Sequence, residues 1–302
     1  MQDTDIAQTL KSLIGQIKDS FGPQTLANDP YLHDFLEALE AGHFHFEDEV
    51  WHVVENDPEA APGVFPAELL LRVFDRNGAH IDHVKAIEKI NEAGLYEFFN
   101  DALVLAAIHQ AAHENNFPVS INISSHSVSD PTYLDRLHDL LKRHFDEALD
   151  PSKITFELLE DTLGEGIDVP GLMRMKALGY KFAIDDLTHE KRDEQRLKNL
   201  GPYVDFVKID GQTLQKAMKG EADLDDFIDR IRKGAPQARI IIEWVSSEDQ
   251  AMFLREVFGI NAVQGRDLSH DREKFRSVLT AARQARETLF CVLARPQLRP
   301  AL

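Results

Sequence analysis

The sequence predicts a (β/α)8 barrel of the TIM type, preceded by an N-terminal helical extension. Eight short β-type runs alternate along the chain with amphipathic helical segments, and that alternation is the mark of an α/β fold with a mainly parallel sheet. The chain has 302 residues, a length typical of such a barrel. Helix boundaries fall between the runs with recognisable capping chemistry. A doubly wound open sheet is the competing arrangement of the same elements.

In chain order, residues 1–30 form the extension. IAQTLKSLIGQIKDSF spaces Ile6, Leu10, Leu13, Ile14 and Ile17 as one face of a helix, able to pack on its own domain or to serve as a dimer or signalling helix. GPQTLANDP reads as a turn-rich linker. The barrel is expected over 31–285, and 286–302 form a C-terminal tail. The β-type runs are HFHFEDEVWHVV, FPAELLLRVF, FPVSINIS, KITFELLE, KFAIDDL, FVKID, ARIIIEWV and NAVQGRDL. ENDPEAAPG, between the first two, can join an antiparallel pair without a helix. FFNDALVLAAIHQAAHEN and TYLDRLHDLLKRHF read as helices. Asp130 before Pro131 suits a helix start, Gly179 a helix end, and Ser247 with Gln250 has capping-box spacing. In the tail, Leu289, Phe290, Val292 and Leu293 are expected to pack on the barrel or on a second subunit.

The composition is that of a globular chain, 43% apolar and 28% charged. No stretch approaches the roughly 18 consecutive apolar residues of a membrane span, and the N-terminus lacks the pattern of a secretory signal. The single cysteine, Cys291, excludes an intramolecular disulfide, which fits a reducing cytoplasm. A net charge of −19 opposes binding to nucleic-acid polymers and anionic lipid. A small anionic ligand stays compatible where metal ions supply positive charge.

Active sites of such barrels gather at the C-terminal ends of the strands. Here those ends carry Glu68 and Arg72, Asn122, Glu157 and Glu160, Asp185 and Asp186, Lys208 and Asp210, Glu243, and Gln264. One strand-end carboxylate is ordinarily a solvated residue, but polar groups from seven successive strands on one rim form a constellation. The oxygen donors among them suit hard cations such as Mg²⁺ or Mn²⁺ rather than a thiolate zinc site. Two chemistries fit: metal-assisted hydrolysis of a phosphate ester, and enolase-like proton abstraction by a lysine beside metal-bound carboxylates. His109 and His113, one helical turn apart, have no evident third ligand and read as a helix-surface pair.

Short motifs then resemble a known family. ELLLRV at 68–73 is similar to the E-A-L-L-R-W signature of EAL domains, bacterial cyclic di-GMP phosphodiesterases. In order, INIS at 121–124, FELLED at 156–161, AIDDL at 183–187, VKID at 207–210, IIEWV at 241–245 and VQGRDL at 263–268 resemble the family's V-N-L-S, x-E-L-T-E-S, D-D-F-G-T-G, L-K-I-D, V-A-E-G-V-E and Q-G-Y-x-F. The resemblance implies a barrel whose first strand runs antiparallel to the others, and hydrolysis of cyclic di-GMP to linear pGpG with Mg²⁺ or Mn²⁺, two ions being expected. Carried over by position, it implies Glu68, Asn122, Glu157 and Asp185 as metal ligands, with Asp186 completing the second ion's site. Lys208 would orient the attacking water, with Asp210 supporting that corner. Glu243 would be a metal ligand or general base. Gln264 would hold the cluster by hydrogen bonding, Arg72 would contact a substrate phosphate, and Glu160 would anchor the loop after the fifth strand. A cytoplasmic homodimer, with a possible protein signalling partner, completes the expectation.

The departures are specific. Leu69 replaces the signature's alanine at an outward-facing position. Glu49 takes the place of a family glutamine, to accept from a guanine edge or to end a strand in solvent. Ser246 replaces a glutamate, and Arg266 a tyrosine, with reach toward a phosphate or into solvent. Behind Asp186, where the family has a glycine-bearing mobile loop, LTHEKRDEQRL contains no glycine and forms a helix readily, with Thr188 as its expected cap. A phosphodiesterase is the leading expectation. The alternatives are a non-catalytic cyclic di-GMP receptor and a protein-interaction module.

Overall fold

The computed structural model describes residues 3–54, 65–114, 117–160, 164–266 and 268. The expected tail, the loop ENDPEAAPG and Cys291 lie outside them.

Three helices open the chain: α1 (Asp3–Phe21), α2 (Pro23–Asn28) and α3 (Pro30–Glu40). The expected linker is thus mostly helix, with Pro23 and Pro30 each opening one and Asp29 capping α3 through the Leu32 amide. Ile6, Leu13, Ile14 and Ile17 of α1 are buried in the main core, so this helix packs on its own domain.

The barrel follows. Strands β1 (Phe44–Val50) and β2 (His52–Val53) are two halves of one run broken at Trp51. Next come β3 (Ala67–Phe74), β4 (His80–Ile81), α4 (Val84–Glu92), α5 (Tyr96–Glu114), β5 (Val119–Ile123), α6 (Tyr133–Phe145), β6 (Ile154–Leu158), α7 (Val169–Leu178) and β7 (Lys181–Leu187). The chain continues through α8 (Lys191–Leu200), β8 (Phe206–Ile209), α9 (Gly211–Met218), α10 (Leu224–Gly234), β9 (Arg239–Ile242), α11 (Glu248–Phe258) and β10 (Ala262–Val263). The sheet runs β1-β3-β5-β6-β7-β8-β9-β10-β2. Because β1 pairs antiparallel with β3 while β2 pairs antiparallel with β10, the opening run closes the barrel. The pairings from β3 through β5 to β10 are parallel. β4 was not foreseen; it forms a hairpin with β3.

Strand periodicity sorts the side chains. Leu69, Leu71, Val119, Ile121, Phe156, Leu158, Val207, Ile209, Ile240 and Ile242 belong to the main core, beneath the helices. Their alternates point into the barrel. Lowest is an apolar plug of Trp51, Phe65, Ala183, Phe206, Ile241 and Ala262. One pleat higher on the same strands stand Asp185, Lys208, Glu243 and Gln264.

Capping differs in detail from expectation. Gly179 does end α7 in the left-handed conformation. Asp130 does not cap α6; Thr132 is the cap residue, and Asp130 Oδ1 accepts from the amide and hydroxyl of Thr132 just before the helix. Ser247 caps α11, but Gln250 Oε1 reaches back to the amide and hydroxyl of Ser246 instead of the Ser247 amide. On α5, His113 is exposed and His109 half-buried, with their Nε2 atoms 3.1 Å apart.

Candidate functional site

Lys208 is the centre of the upper layer. It is 1% exposed, and its ammonium lies 2.9 Å from Glu68 Oε2, 2.6 Å from Glu157 Oε2, 2.7 Å from Asp185 Oδ1 and 2.8 Å from Glu243 Oε1. Below it the Trp51 ring centroid is 5.6 Å from Nζ, a cation–π contact with the plug. Glu68 also accepts from Asn122 Nδ2 at 2.7 Å and Gln264 Nε2 at 2.8 Å. Five strands thus deliver charged groups to one point from inward-facing positions on or just after them.

Burial pushes every ionised group here toward neutrality, and neighbours decide each outcome. The Glu68 carboxyl is held below its usual value because Lys208, Gln264 and Asn122 outweigh its burial. Burial raises Glu157 well above the usual range, with Glu68 and Asp185 adding to it against Lys208. Burial likewise raises Glu243 well above the usual range, and together with Asp185, Asp186 and Glu68 it outweighs Lys208. Burial opposes the charge on Lys208, but the surrounding acids win and raise it well above normal. The cluster carries more acid than one ammonium neutralises.

Asp186 owes its place to a local irregularity. Along β7 and β8, Ile184 pairs with Val207 while Leu187 pairs with Ile209, so β7 holds one extra residue there. Asp186 sits at φ 46°, left-handed backbone that Asp tolerates better than most residues. In a regular strand, adjacent aspartates would face opposite sides of the sheet. The bulge turns Asp186 back to the rim, a usual service of bulges near functional sites. Ligand atoms of Asp185, Asp186 and Glu243 then lie within 4.8 Å of one another. Burial, then Asp185, raises the Asp186 carboxyl to about 6.

The donor set fits a hard divalent cation. Asn122 Oδ1, Glu157 Oε1 and Gln264 Oε1 are buried without a hydrogen-bond partner, a costly condition that a ligated cation relieves.

A cleft of about 880 Å³ opens above the cluster, walled by Glu49, Glu160, Asp210, Trp244 and Arg266 among others. Glu49 pairs across from Glu68 on the antiparallel strand, and its carboxyl is raised first by burial and then by Glu68, with Arg266 opposing. Arg72 stands outside the cleft, in an adjoining hollow shared with Glu49, His83 and Arg266. There it is paired with Glu47 at 2.7 Å. Asp210 caps α9 by accepting from the Gln212 amide. Glu160 is exposed; its backbone carbonyl, not its carboxylate, takes a hydrogen bond from Arg192.

The glycine-free stretch holds residues that sequence reasoning missed. Helix α8 begins at Lys191 with Glu190 at its cap position, so Thr188 is not the cap. Instead the Thr188 amide and hydroxyl both donate to Asp193 Oδ2. Arg196, 0% exposed, pairs with Asp193 Oδ1 at 3.2 Å and donates to the carbonyls of Leu158 at 3.2 Å and Asp185 at 2.9 Å. A charge-dense tract gave no signal of buried charge. Trp244 was also missed, although the motif V-A-E-G-V-E carries glycine where this chain has it. Gly265 admits no side chain, since a Cβ there would lie 1.9 Å from the Val245 carbonyl oxygen.

The EAL domain family model matches residues 58–271. The chain belongs to the EAL domain family. Solved EAL domain structures share its fold. PaMucR phosphodiesterase in complex with c-di-GMP superposes with a TM-score of 0.61 at 21% identity, over 80% of this chain and 96% of that one. The FimX EAL domain from Pseudomonas aeruginosa, bound to c-di-GMP, gives 0.63 at 23%, over 79% and 95%. An EAL domain protein from Listeria monocytogenes EGD-e gives 0.60 at 22%, over 79% and 92%. None of the curated proteins compared with the chain matches it. Among the described residues, no helix is long and apolar enough to cross a membrane.

Proposed function

We propose that this EAL domain is a metal-dependent phosphodiesterase that opens cyclic di-GMP to linear pGpG. The observation that carries the reading is the buried Lys208 held by four carboxylates beside the Asp185, Asp186 and Glu243 trio. Mg²⁺ or Mn²⁺, two ions in our reading, would be held by Glu68, Asn122, Glu157, Asp185 and Asp186. When bound, such ions activate water and neutralise charge on the phosphate. The residues supply the rest. Lys208 orients the attacking water, and Glu243, at the boundary between cluster and cleft, accepts its proton. Water oxygen bonds to phosphorus as the bond from phosphorus to the ribose 3′ oxygen breaks; that oxygen takes a proton, leaving a 5′ phosphate and a 3′ hydroxyl. Gln264 fixes Glu68, and Asp210 fixes the start of α9. Arg72 and Arg266, in the hollow beside the cleft, face the distal phosphate, and Glu49 accepts from a guanine edge. Arg192 gives Glu160 its anchoring role through the backbone. We place the protein in the cytoplasm as a homodimer, with a signalling protein as a further partner and no nucleic-acid polymer.

A receptor reading has one observation in its favour: Arg196 and Asp193 pin the segment where the family resemblance implies a mobile loop. Purified protein incubated with cyclic di-GMP and Mn²⁺, with pGpG followed by chromatography and binding by calorimetry, decides. We expect turnover that Glu68→Ala abolishes. Tight binding without product would establish the receptor, and neither binding nor product would leave an interaction module.

A further inference from the structure

Trp244 occupies a position that ought to disfavour it. Its backbone lies at φ 56°, where a bulky residue is strained and glycine is not. The residue is 53% exposed, so burial does little to offset that strain. The ring nonetheless has a built seat. A Cβ on Gly211 would come within 2.2 Å of Trp244 Cγ and 2.4 Å of its Cδ2, so the indole rests directly on the bare backbone at the first residue of α9. Two positions are therefore coupled, one strained and one without a side chain, and together they hold an aromatic face in the wall of the cleft. The same cleft is lined by Asp185, Asp186 and Glu243 and by Gln212, Gln215 and Lys216 of α9.

We propose that Trp244 is the stacking platform for a purine base of the ligand, a specificity-determining residue of this chain; the proposal rests on the phosphodiesterase reading. A phosphate held through the cations that this reading assigns to the Asp185–Asp186 corner would leave its nucleoside to extend along this wall. An aromatic face there takes the base by stacking, with sequence-independent strength because every base has a π face. The glutamine amides that line the same cleft offer donors and acceptors to the base edge.

The chain holds two tryptophans, and Trp51 is buried beneath Lys208, so the part of the quenching that Trp244→Phe removes reports Trp244. The experiment titrates cyclic di-GMP in Ca²⁺ buffer, by calorimetry and by fluorescence, against wild type, Trp244→Phe, Trp244→Gly and Gly211→Ala, and measures turnover with Mn²⁺. Wild-type emission is expected to quench, and that of Trp244→Phe to quench less. Losing the stacked base should raise Kd roughly tenfold to a hundredfold in Trp244→Gly. Gly211→Ala, which keeps the indole but unseats it, should raise Kd as well. Trp244→Phe should stay within about threefold of wild type, since it keeps an aromatic face. Trp244→Gly relieves the strained backbone, so it should fold at least as stably, and it should raise KM far more than it lowers kcat. Unchanged affinity in Trp244→Gly, or wild-type binding without quenching that Trp244→Phe reduces, overturns the platform and leaves the phosphodiesterase reading standing. A wild type that neither binds nor cleaves cyclic di-GMP overturns both.

Discussion

Replacing Lys208 by methionine keeps the length of the side chain and removes its charge. The ammonium is 1% exposed and lies within 2.9 Å of four carboxylates. Taking one partner from a buried ion pair ordinarily costs about 3–5 kcal/mol, because the remaining charge is left uncompensated. Two features hold the expectation inside that range although several acids lose their partner. The desolvation cost of the lysine disappears with it, and Glu157 and Glu243, already raised by burial, can escape by binding protons. Unfolding entropy of about 2.1 cal/mol/K per residue gives a chain of this size roughly 0.6 kcal/mol/K. The loss therefore corresponds to a fall in Tm of about 5–8 °C. The assay is thermal unfolding followed by circular dichroism, in EDTA and in excess Mn²⁺. Because the variant has more acid left to neutralise, Mn²⁺ should raise its Tm by more than it raises that of wild type; a ligand at 100 times its Kd adds about 2.7 kcal/mol. Turnover should fall in Lys208→Met even where stability is restored. A variant within about 1 °C of wild type in EDTA, or one with no larger response to Mn²⁺, would refute the idea that Lys208 stands in as the internal counter-ion of a cation site.

Arg196→Met should destabilise the protein by about 3–5 kcal/mol, since it strands the buried Asp193. If Arg196 positions Asp185 through its carbonyl, Mn²⁺ affinity by calorimetry should also fall roughly tenfold or more, and lost stability with unchanged affinity would make the residue structural only. Asp101, on α5, carries a carboxyl raised to about 6, first by burial, with Arg136 opposing and Glu97 adding. The folded state therefore holds this proton more tightly than the unfolded one, and stability declines as pH rises from about 4 to about 6, by up to about 3 kcal/mol. Asp101→Asn should be more stable than wild type at pH 7.5 but nearly equal to it at pH 4 in urea unfolding. Equal differences at both pH values would sink that account.

Much of the barrel was legible because strand alternation is a physical constraint that the sequence must obey. A lysine in VKID, one pleat above the inward Phe206, or a glutamate in FELLE, flanked by the outward Phe156 and Leu158, has only the barrel interior to enter. The same rule located Glu68, Asn122, Asp185, Glu243 and Gln264. It could not place Asp186, which faces the rim only because of a bulge whose extra residue is invisible until the neighbouring strand is paired with it. Arg72 was displaced for a similar reason: its strand runs past the rim, and Glu47 of the antiparallel strand captures it beside the cleft. GPQTLANDP misled because its prolines open helices rather than break them. The buried Arg196 was illegible because its environment is supplied by carbonyls from two other strands, β6 and β7, and no local pattern encodes those.

The glycine-free tract therefore has a different physical meaning from the solvated helix that its composition suggests. Burying an arginine and an aspartate costs several kcal/mol unless their remaining donors and acceptors are met. Here most of them are: Asp193 takes the Thr188 amide and hydroxyl, and Arg196 takes the Leu158 and Asp185 carbonyls. Arg192 adds the Glu160 carbonyl from the next strand end. The β7–α8 corner is thus tied to β6 and to the strand end that bears both aspartates. A left-handed residue inside a bulge persists only where its surroundings over-determine it, and Asp186 has that support from residues within ten positions of it. A mobile glycine loop would have to be ordered by something else, at an entropic cost, before the same carboxylates converged. This corner is built already converged, so its affinity for a cation should depend on Arg196 rather than on the protein's concentration. Mn²⁺ calorimetry on dilute and concentrated samples puts that to the test: a Kd that tightens as the protein is concentrated would show that association, and not the Arg196–Asp193 pair, assembles the site.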